Sequence, residues 1–283
     1  MKQKFTSISG ITLLEMLIGI VISSIMMGAL YTSYTVVNGS YTQVADKETM
    51  SRTGRDIVGM LLRDIRMAGY FDVNSVQVAG DEMYPLVISK STNFSGTSRV
   101  CDKLRLVYGD VVYNKGQDPE FTYPIYQISY KCFKSTIPNK RAKVTASGSL
   151  PAKDLFAIYK EKISWDRASA TWNDPSTDND PKTYSYELII DHVEDLVFNP
   201  IDENGEIITP APNKLHNTSK IYEIKSVDVL IMLRSPDPFY KKAKPRPAYA
   251  FSNKPLRNKT LDDKFLRETI VVTANSRNIG LTK

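Results

Sequence analysis

The first long pattern in the chain is an apolar run without the polar stripe of an amphipathic helix. Between Ile11 and Leu30 the only charged residue is Glu15. As a helix this run would be about 30 Å long, which is enough to cross the hydrocarbon core of a bilayer. Lys2 and Lys4 precede it without any acid, so the positive-inside tendency places the N-terminus in the cytoplasm and exports the rest of the chain.

The spacing of an α-helix continues after the apolar run, and the face that it forms is apolar mainly in its second half. No proline occurs before Pro85, and Gly69 is the expected stop, with Arg63 and Arg66 close to the last carbonyl groups. We therefore predict one continuous helix over residues 11–68, with its first half in the membrane and its second half packed on a domain. The positions that form the face are Val44, Lys47, Ser51, Gly54, Val58, Leu61, Ile65 and Ala68.

Beyond Gly69 the apolar period changes to two, which is typical of half-buried strands. Turn-rich stretches such as NDPSTDNDP and DENGE separate the alternating runs. We expect an α+β fold in which the long N-terminal helix packs on a C-terminal antiparallel β-sheet domain. The alternating positions are Leu104, Leu106 and Tyr108; Tyr126, Ile128 and Tyr130; Tyr184, Tyr186, Leu188 and Ile190; and Val227, Val229, Ile231 and Leu233.

Composition excludes several classes of protein. With 283 residues, of which 42% are hydrophobic and 24% charged, the chain has room for an anchor and one sizeable folded domain, and it is neither disordered nor a repeat protein. The formal net charge of +6 is too small to indicate nucleic-acid binding by itself.

The acid within the apolar run is the feature that needs an explanation. A carboxylate in a membrane span costs a few kcal/mol, so Glu15 needs a partner, and the sequence offers none nearby. An ordinary signal peptide carries small residues after its apolar run, whereas here Ser7, Ser9 and Gly10 stand before it. This order favours cleavage at Gly10; an uncleaved anchor with an incidental acid is the alternative.

A short basic leader, a glycine, an apolar span and a glutamate five residues after the glycine resemble the class III prepilin signal of type IV pilins and type II secretion pseudopilins. The resemblance implies that a prepilin peptidase cuts after Gly10 and methylates the new amine of Ile11, which replaces the usual phenylalanine. It implies that Glu15 faces the N-terminal amine of a neighbouring subunit. It also implies a lollipop-shaped protein with a leader (1–10), a transmembrane segment (11–30), an exported helical segment (31–69) and a β-rich domain (70–283).

Both ends of the chain are similar to minor pilins of the PilW type. Residues 61–71, LLRDIRMAGYF, resemble the end of the helix in that subfamily, although they also suit an ordinary helix C-cap. HVEDLVF, VDVLIMLRS and the terminal RETIVVTANSRNIGL resemble its closing strands, where an arginine-asparagine pair follows the last one. Residues 75–180 carry almost none of this resemblance.

The resemblance implies a subunit of the bacterial inner membrane that later enters a pilus, at its tip or along the filament. Its partners would be other minor pilins, the major pilin, the assembly platform and a large tip adhesin, in a complex that primes assembly and caps the tip. Two alternative functions remain open: a minor pseudopilin of type II secretion, and a membrane-anchored periplasmic hydrolase or binding protein.

The sequence offers little to an enzyme. No G-x-S-x-G, P-loop, H-E-x-x-H or paired CxxC motif occurs. In DHVEDL, adjacent strand residues point to opposite faces, so His192 is expected to share a face with Glu194 and not with Asp191. A solvated histidine on an edge strand is the favoured interpretation, and neither catalysis nor a cofactor is expected.

The two cysteines, Cys101 and Cys132, lie on the exported side, where oxidation is expected. We predict that they form one intramolecular disulfide, and two inert buried thiols are the alternative. The turn-rich stretch NDPSTDNDP contains three acids that could ligate calcium, an ion that some pseudopilins bind. They are Asp174, Asp178 and Asp180. Their spacing is not that of an EF-hand, and a plain turn is favoured.

A basic segment between Asp237 and Asp262 contains Lys241, Lys242, Lys244 and Arg246, interleaved with aromatic residues and without an acid. Basic residues among aromatics suit contact with a nucleic acid or another polyanion, and an acidic face of a partner subunit would use the same charges. A solvated, proline-stiffened loop between two strands is the favoured interpretation.

Overall fold

The computed structural model describes residues 12–71, 83–91, 101–136, 156–213, 218–236, 238–240, 242–248 and 259–279. The chain divides into two compact units, Met1–Glu48 and Thr49–Lys283. One α-helix, α1, runs from Leu13 to Met67 and contributes to both units. The predicted long N-terminal helix is therefore confirmed.

The part of α1 in the first unit has an apolar surface, and its side-chain hydroxyl groups form hydrogen bonds within the helix. It contains an 18-residue window with a mean hydropathy of 2.2, and it is the one described helix long and apolar enough to cross a membrane. Its hydroxyl groups donate to the carbonyls of the preceding turn, as in Ser24 to Ile20 at 2.7 Å and Thr32 to Gly28 at 2.8 Å. These bonds hide polar atoms that would otherwise face lipid.

The part of α1 in the second unit packs one face on the sheet. The helix ends at Met67, and Gly69 has a φ of 76°, in the left-handed region that favours glycine. The Gly69 N–H donates to the carbonyl of Val107 at 2.8 Å, so the predicted stop also joins the helix to the sheet. The buried residues of the helix are Met50, Gly54, Ile57, Leu61, Asp64 and Ile65.

The main sheet is antiparallel at every pairing and has the order β1-β2-β5-β6-β8-β9-β12, with β7 paired to β6 outside this path. Two ribbons, β3-β4 and β10-β11, stand apart from it. The strands are β1 Leu86–Ser89, β2 Lys103–Gly109, β3 Val112–Tyr113, β4 Phe121–Thr122, β5 Ile125–Lys134, β6 Phe156–Asp166, β7 Thr171–Trp172, β8 Tyr184–Ile201, β9 Ser226–Arg234, β10 Lys244–Ala248, β11 Lys259–Asp263 and β12 Arg267–Asn275. This sheet confirms the predicted α+β class.

The hydrophobic core lies between α1 and one face of the sheet. The alternating residues predicted for β2, β5 and β9 all point into it. In β8 the prediction is wrong for Leu188, which is 49% exposed. The pairing of β6 with β8 shifts register at several points, and each shift interrupts the alternation of faces along β8.

The opposite face of the sheet is partly covered by the β10-β11 ribbon. Leu261 of β11 packs against a small buried cluster of Val197, Leu230 and Met232. The segment predicted as a loop between strands thus forms two strands of its own, with Lys244 opposite Asp263 and Pro245 opposite Asp262.

Candidate functional site

The N-terminus of α1 is closed by a reciprocal pair of polar residues. The Thr12 N–H and hydroxyl both donate to Oε2 of Glu15, at 2.8 and 3.0 Å, and the Glu15 N–H donates to the Thr12 hydroxyl oxygen at 3.3 Å. The sequence from Thr12 to Glu15 is a capping box, in which a threonine and a glutamate three residues later satisfy free N–H groups of the first turn. The expectation that Glu15 has no nearby partner is therefore wrong.

The capping box leaves part of the carboxylate available. Every hydrogen bond that Thr12 gives to Glu15 goes to Oε2, and within the described residues Oε1 accepts none. No other charged residue occurs on α1 until Asp46. A positively charged group from outside the chain could therefore reach Oε1 without breaking the cap. Gly10 and Ile11, the predicted cleavage and methylation positions, lie outside the described residues.

The two cysteines lie together, one just before β2 and one on β5. The structure joins their sulfur atoms, and their Cα atoms are 5.8 Å apart. Cys101 is buried and Cys132 packs against the main core. The arrangement agrees with the predicted disulfide, which remains a proposal to be tested by counting thiols.

The three acids proposed for calcium are each engaged by turn donors. The Ser176 N–H and the Ser176 hydroxyl both donate hydrogen bonds to Asp174. These bonds lower the pKa of the Asp174 carboxyl, and the bond from the N–H has the larger effect. Asp178 accepts from the Asp180 N–H at 3.0 Å, and Asp180 accepts from the Tyr126 hydroxyl at 2.6 Å. In the described part of the chain no group of three or more His, Cys, Asp or Glu residues is arranged to hold a metal ion.

The position of His192 differs from the prediction. It lies on β8, between β6 and β9, and not on an edge strand. Its φ of 62° interrupts the alternation of faces, so its ring comes near Asp191, with 3.9 Å between Nδ1 and Oδ1. Glu194 instead forms a buried ion pair with Arg267 of β12. The first contact lies within β8, and the second connects β8 to β12.

The basic segment is only partly described. Lys241 lies outside the described residues, and Arg246 is placed on β10 by its backbone alone. Lys242 and Lys244 are exposed. The opposite strand, β11, carries Asp262 and Asp263, and Asp263 lies directly opposite Lys244 in the ribbon.

A buried charge cluster in the helix-sheet interface was missed by the sequence analysis. Asp64 of α1 lies 2.6 Å from the Lys160 ammonium and accepts a hydrogen bond from the Tyr130 hydroxyl at 2.6 Å. The side chains of Asp64 and Lys160 are 2% and 6% exposed. The signal available in the sequence was that Asp64 lies three residues after Leu61 and next to Ile65, two residues of the apolar face.

The two segments that resemble PilW-type proteins meet in the structure. The Asn278 side-chain amide donates to the carbonyl of Arg66 at 3.0 Å. A methyl group added to Gly69 would stand 3.4 Å from the backbone of Asn278. The end of the helix and the end of the chain thus form one junction.

Comparison with known proteins gives a matching family model and a similar solved structure. Residues 6–31 match the family model described as the prokaryotic N-terminal methylation motif. Among solved structures, the chain is similar to a type IV-like pilin from Thermus thermophilus, with 12% sequence identity, a TM-score of 0.46, and coverage of 81% of this chain and 96% of that one. No curated protein sequence matches the chain at a significant level.

The chain combines the N-terminal methylation motif with a long N-terminal helix, an apolar span and a C-terminal antiparallel sheet. This combination resembles type IV pilin-like proteins, and the resemblance of the first residues to a class III prepilin signal is confirmed. Minor pilins and pseudopilins share these features, which therefore do not distinguish between the two.

Proposed function

We propose that the chain is a minor pilin of the PilW type, which joins other minor pilins in a complex that primes type IV pilus assembly and caps the pilus tip. Its role is structural and not catalytic. Its partners would be other minor pilins, the major pilin, the assembly platform and a large tip adhesin. Prepilin peptidase would process it.

One observation carries the proposal: the first part of α1 presents an apolar surface whose only charge is at its N-terminal end. The large apolar side chains from Leu13 to Val44 are between 49% and 83% exposed. A surface of this kind is stable only in lipid or against other apolar helices. Glu15 adds one free carboxylate oxygen at a fixed depth, which suits the positive amine of a second subunit that carries the same motif.

The proposal assigns each part of the chain a place. Residues 1–10 are removed and Ile11 is methylated. Residues 11–30 cross the inner membrane from a cytoplasmic N-terminus, residues 31–69 continue the helix outside, and residues 70–283 form the periplasmic domain until the subunit is extracted into the filament. Mass spectrometry of the N-terminal peptide tests this order; an intact Met1 or a start near Leu30 would contradict it.

The PilW type is supported by the sequence resemblance of two segments, the end of the helix and the segment after β12. Arg66 and Asn278 come from the two segments that carry the resemblance, and they are in contact. A minor pseudopilin of type II secretion is the second candidate, because the methylation motif suits it equally.

Glu15→Gln is the decisive variant. Glutamine also closes a capping box, so the substitution removes the charge and keeps the helix terminus. A neighbouring amine that loses its carboxylate is left as an unpaired buried charge, which costs several kcal/mol and lowers occupancy by about a hundredfold or more. We expect normal cleavage of the variant, but few surface filaments and little co-purification of other minor pilins from membranes.

Thr12→Val is the matched control, since it weakens the cap and keeps the charge. It should assemble better than Glu15→Gln. Normal filaments and normal co-purification with Glu15→Gln would contradict the proposed role of this carboxylate. Deletion of the gene separates the two candidates: loss of piliation and twitching indicates a minor pilin, whereas loss of exoprotein secretion with normal pili indicates a pseudopilin.

A further inference from the structure

An open groove runs along the end of α1 within the second unit. Its volume is about 730 Å³, within the usual range of ligand pockets. Its lining includes apolar and aromatic side chains of the helix end, the following turn and β2. We refer to the apolar and aromatic lining residues as the floor: Leu62, Met67, Tyr70 and Tyr108.

The rim of the groove is basic. Arg63 and Arg66 reach it from the helix, and Arg277 reaches it from the segment after β12. All three arginines are exposed, and the side chain of Arg63 is 72% exposed. Within the described residues, Arg66 and Arg277 have no ion-pair partner.

One acid lines the groove, and it is already paired. Asp110 lies 2.9 Å from the ammonium of Lys182. The Asp64 carboxylate, 3.7 Å from Arg63, is directed to the buried Lys160. Three guanidinium groups therefore stand around an apolar floor with little negative charge of the chain itself to neutralise them.

Two hydrogen bonds to backbone carbonyls hold the rim. The Asn278 side-chain amide donates to the Arg66 carbonyl at 3.0 Å. The Gly109 N–H donates to the Tyr70 carbonyl at 2.6 Å, which fixes the turn after the helix on β2. The three arginines are thus presented from a rigid base, which lowers the entropy cost of binding.

The groove is also open at Gly59. A Cβ atom added there would meet nothing within 4 Å. Glycine in a helix interior costs up to about 1 kcal/mol of stability relative to alanine. Among the described residues, no neighbour of Gly59 is close enough to require the absence of a side chain there.

We propose that this groove binds an acidic peptide segment of a partner protein, in which carboxylates alternate with an apolar side chain. Guanidinium groups pair with carboxylates in a planar, two-bond geometry, and the apolar floor accepts the side chain between them. A phosphate backbone would use the arginines and leave the floor unused. A protein segment uses both.

The inference deepens the proposed role in assembly, because it names a contact surface for a co-assembled subunit. It is independent of the carboxylate at the N-terminus of α1. The test below uses purified full-length protein, so its failure leaves the result with Glu15→Gln unaffected.

The test uses the full chain in detergent micelles and a fluorescein-labelled peptide of alternating glutamate and leucine. Its counterpart, in which glutamine replaces glutamate, should bind at least tenfold more weakly. Arg66→Glu and Arg277→Glu should each weaken binding of the acidic peptide by about ten- to a hundredfold, the usual value of a charge-assisted contact. Arg52→Glu, an exposed arginine on the same helix outside the groove, should leave binding unchanged.

Gly59→Leu provides a second variant that removes no charge. It fills the open part of the groove and should weaken binding by at least tenfold, whereas Gly59→Ala should not. Equal binding of the two peptides, equal loss with Arg52→Glu, or no saturable binding at all would overturn the proposal. Displacement of the peptide by short single-stranded DNA at equal concentration would also overturn it in favour of a polyanion surface.

Discussion

The Lys160 ammonium lies 2.6 Å from the Asp64 carboxylate, in the closed space between α1 and the sheet. Tyr130 donates to the same carboxylate oxygen at 2.6 Å, and its side chain is fully buried. A helix that packed on the sheet through apolar residues alone could slide by one turn at modest cost. The charge pair instead fixes one register, because either charge would be left buried and unpaired in any other.

Asp64→Asn should destabilise the domain strongly. The substitution keeps the shape of the side chain but leaves Lys160 as a buried charge without its partner, which costs about 3 to 5 kcal/mol. The measurement is urea unfolding of the full chain in detergent, followed by circular dichroism.

The double variant Asp64→Asn/Lys160→Met is the control for that experiment. It removes both charges and keeps an apolar side chain in the interface. We expect it to recover most of the stability lost in the single variant. If the double variant is as unstable as Asp64→Asn alone, then packing at these positions, and not the unpaired charge, is responsible.

Alkaline pH should destabilise the fold through its buried tyrosines. Burial, followed by the charge of Asp64, raises the pKa of Tyr130 well above its usual value, and the same two causes raise the pKa of Tyr184 to about 12. Tyrosines of the unfolded chain ionise near pH ~10. The stabilisation is therefore fully present below that pH and is lost as the pH rises towards the folded-state pKa, by about 1.4 kcal/mol per pH unit for each such tyrosine.

The measurement is urea unfolding at about pH 8 and about pH 11, with tyrosinate absorbance recorded in parallel. Tyr130→Phe should lower the stability at neutral pH, because the hydrogen bond to Asp64 is lost, and should make the alkaline loss less steep. An identical slope in the variant and the parent would show that Tyr130 does not contribute to the alkaline transition.

Two glycines of α1 should respond differently to the same substitution. Gly59→Ala should stabilise the protein by about 0.5 to 1 kcal/mol, because the added methyl group enters open space. At Gly54 the methyl group would collide with Cδ1 of Ile270 and lie 3.1 Å from Leu233. Gly54→Ala should therefore be less stable than Gly59→Ala when thermal unfolding is compared.

Ile270→Val removes the colliding methyl group and gives the matched control. The substitution alone costs about 0.5 to 1.5 kcal/mol, but combined with Gly54→Ala it should cost less. Strict additivity of the two substitutions would show that the helix does not approach β12 as closely as the structure indicates.

Cys101 and Cys132 should be oxidised in the native protein, because the proposed orientation exports the domain that contains them. Labelling of the denatured, unreduced chain should find no free thiol. The chain-entropy model gives about 3.7 kcal/mol for a loop of this length, so replacement of both cysteines by alanine should lower the midpoint of urea unfolding. Two labelled thiols in unreduced material would refute the pairing.

Periodic apolar segments allowed much of this fold to be predicted. Leu104, Ile128 and Val229 belong to strands whose every second residue enters the core, and such a pattern identifies both the strand and its buried face. β6 was not predicted, because its core positions include Lys160. A lysine in a strand is usually solvated. Lys160 is buried because it forms an ion pair with Asp64, which is far from it in the sequence.

The errors in the candidate site have local causes. Thr12 lies within the apolar run, which hides its role, although a threonine three residues before a glutamate at a helix start is a recognised cap. Strict alternation gives the wrong face for His192, because alternation fails at a residue with positive φ. The acids opposite β10 belong to a later segment, so the pairing that places them there was not visible in the local composition.

The hydroxyl groups along the first part of α1 have a consequence for how the helix changes its surroundings. Ser24, Thr32 and Ser40 donate to carbonyls of their own helix, and Thr12 and Glu15 satisfy each other at its start. Moving this helix out of lipid and against other helices would break none of these bonds. The free energy of extraction would then depend on the exchange of one apolar contact surface for another, and on the single charge that the new surroundings must neutralise.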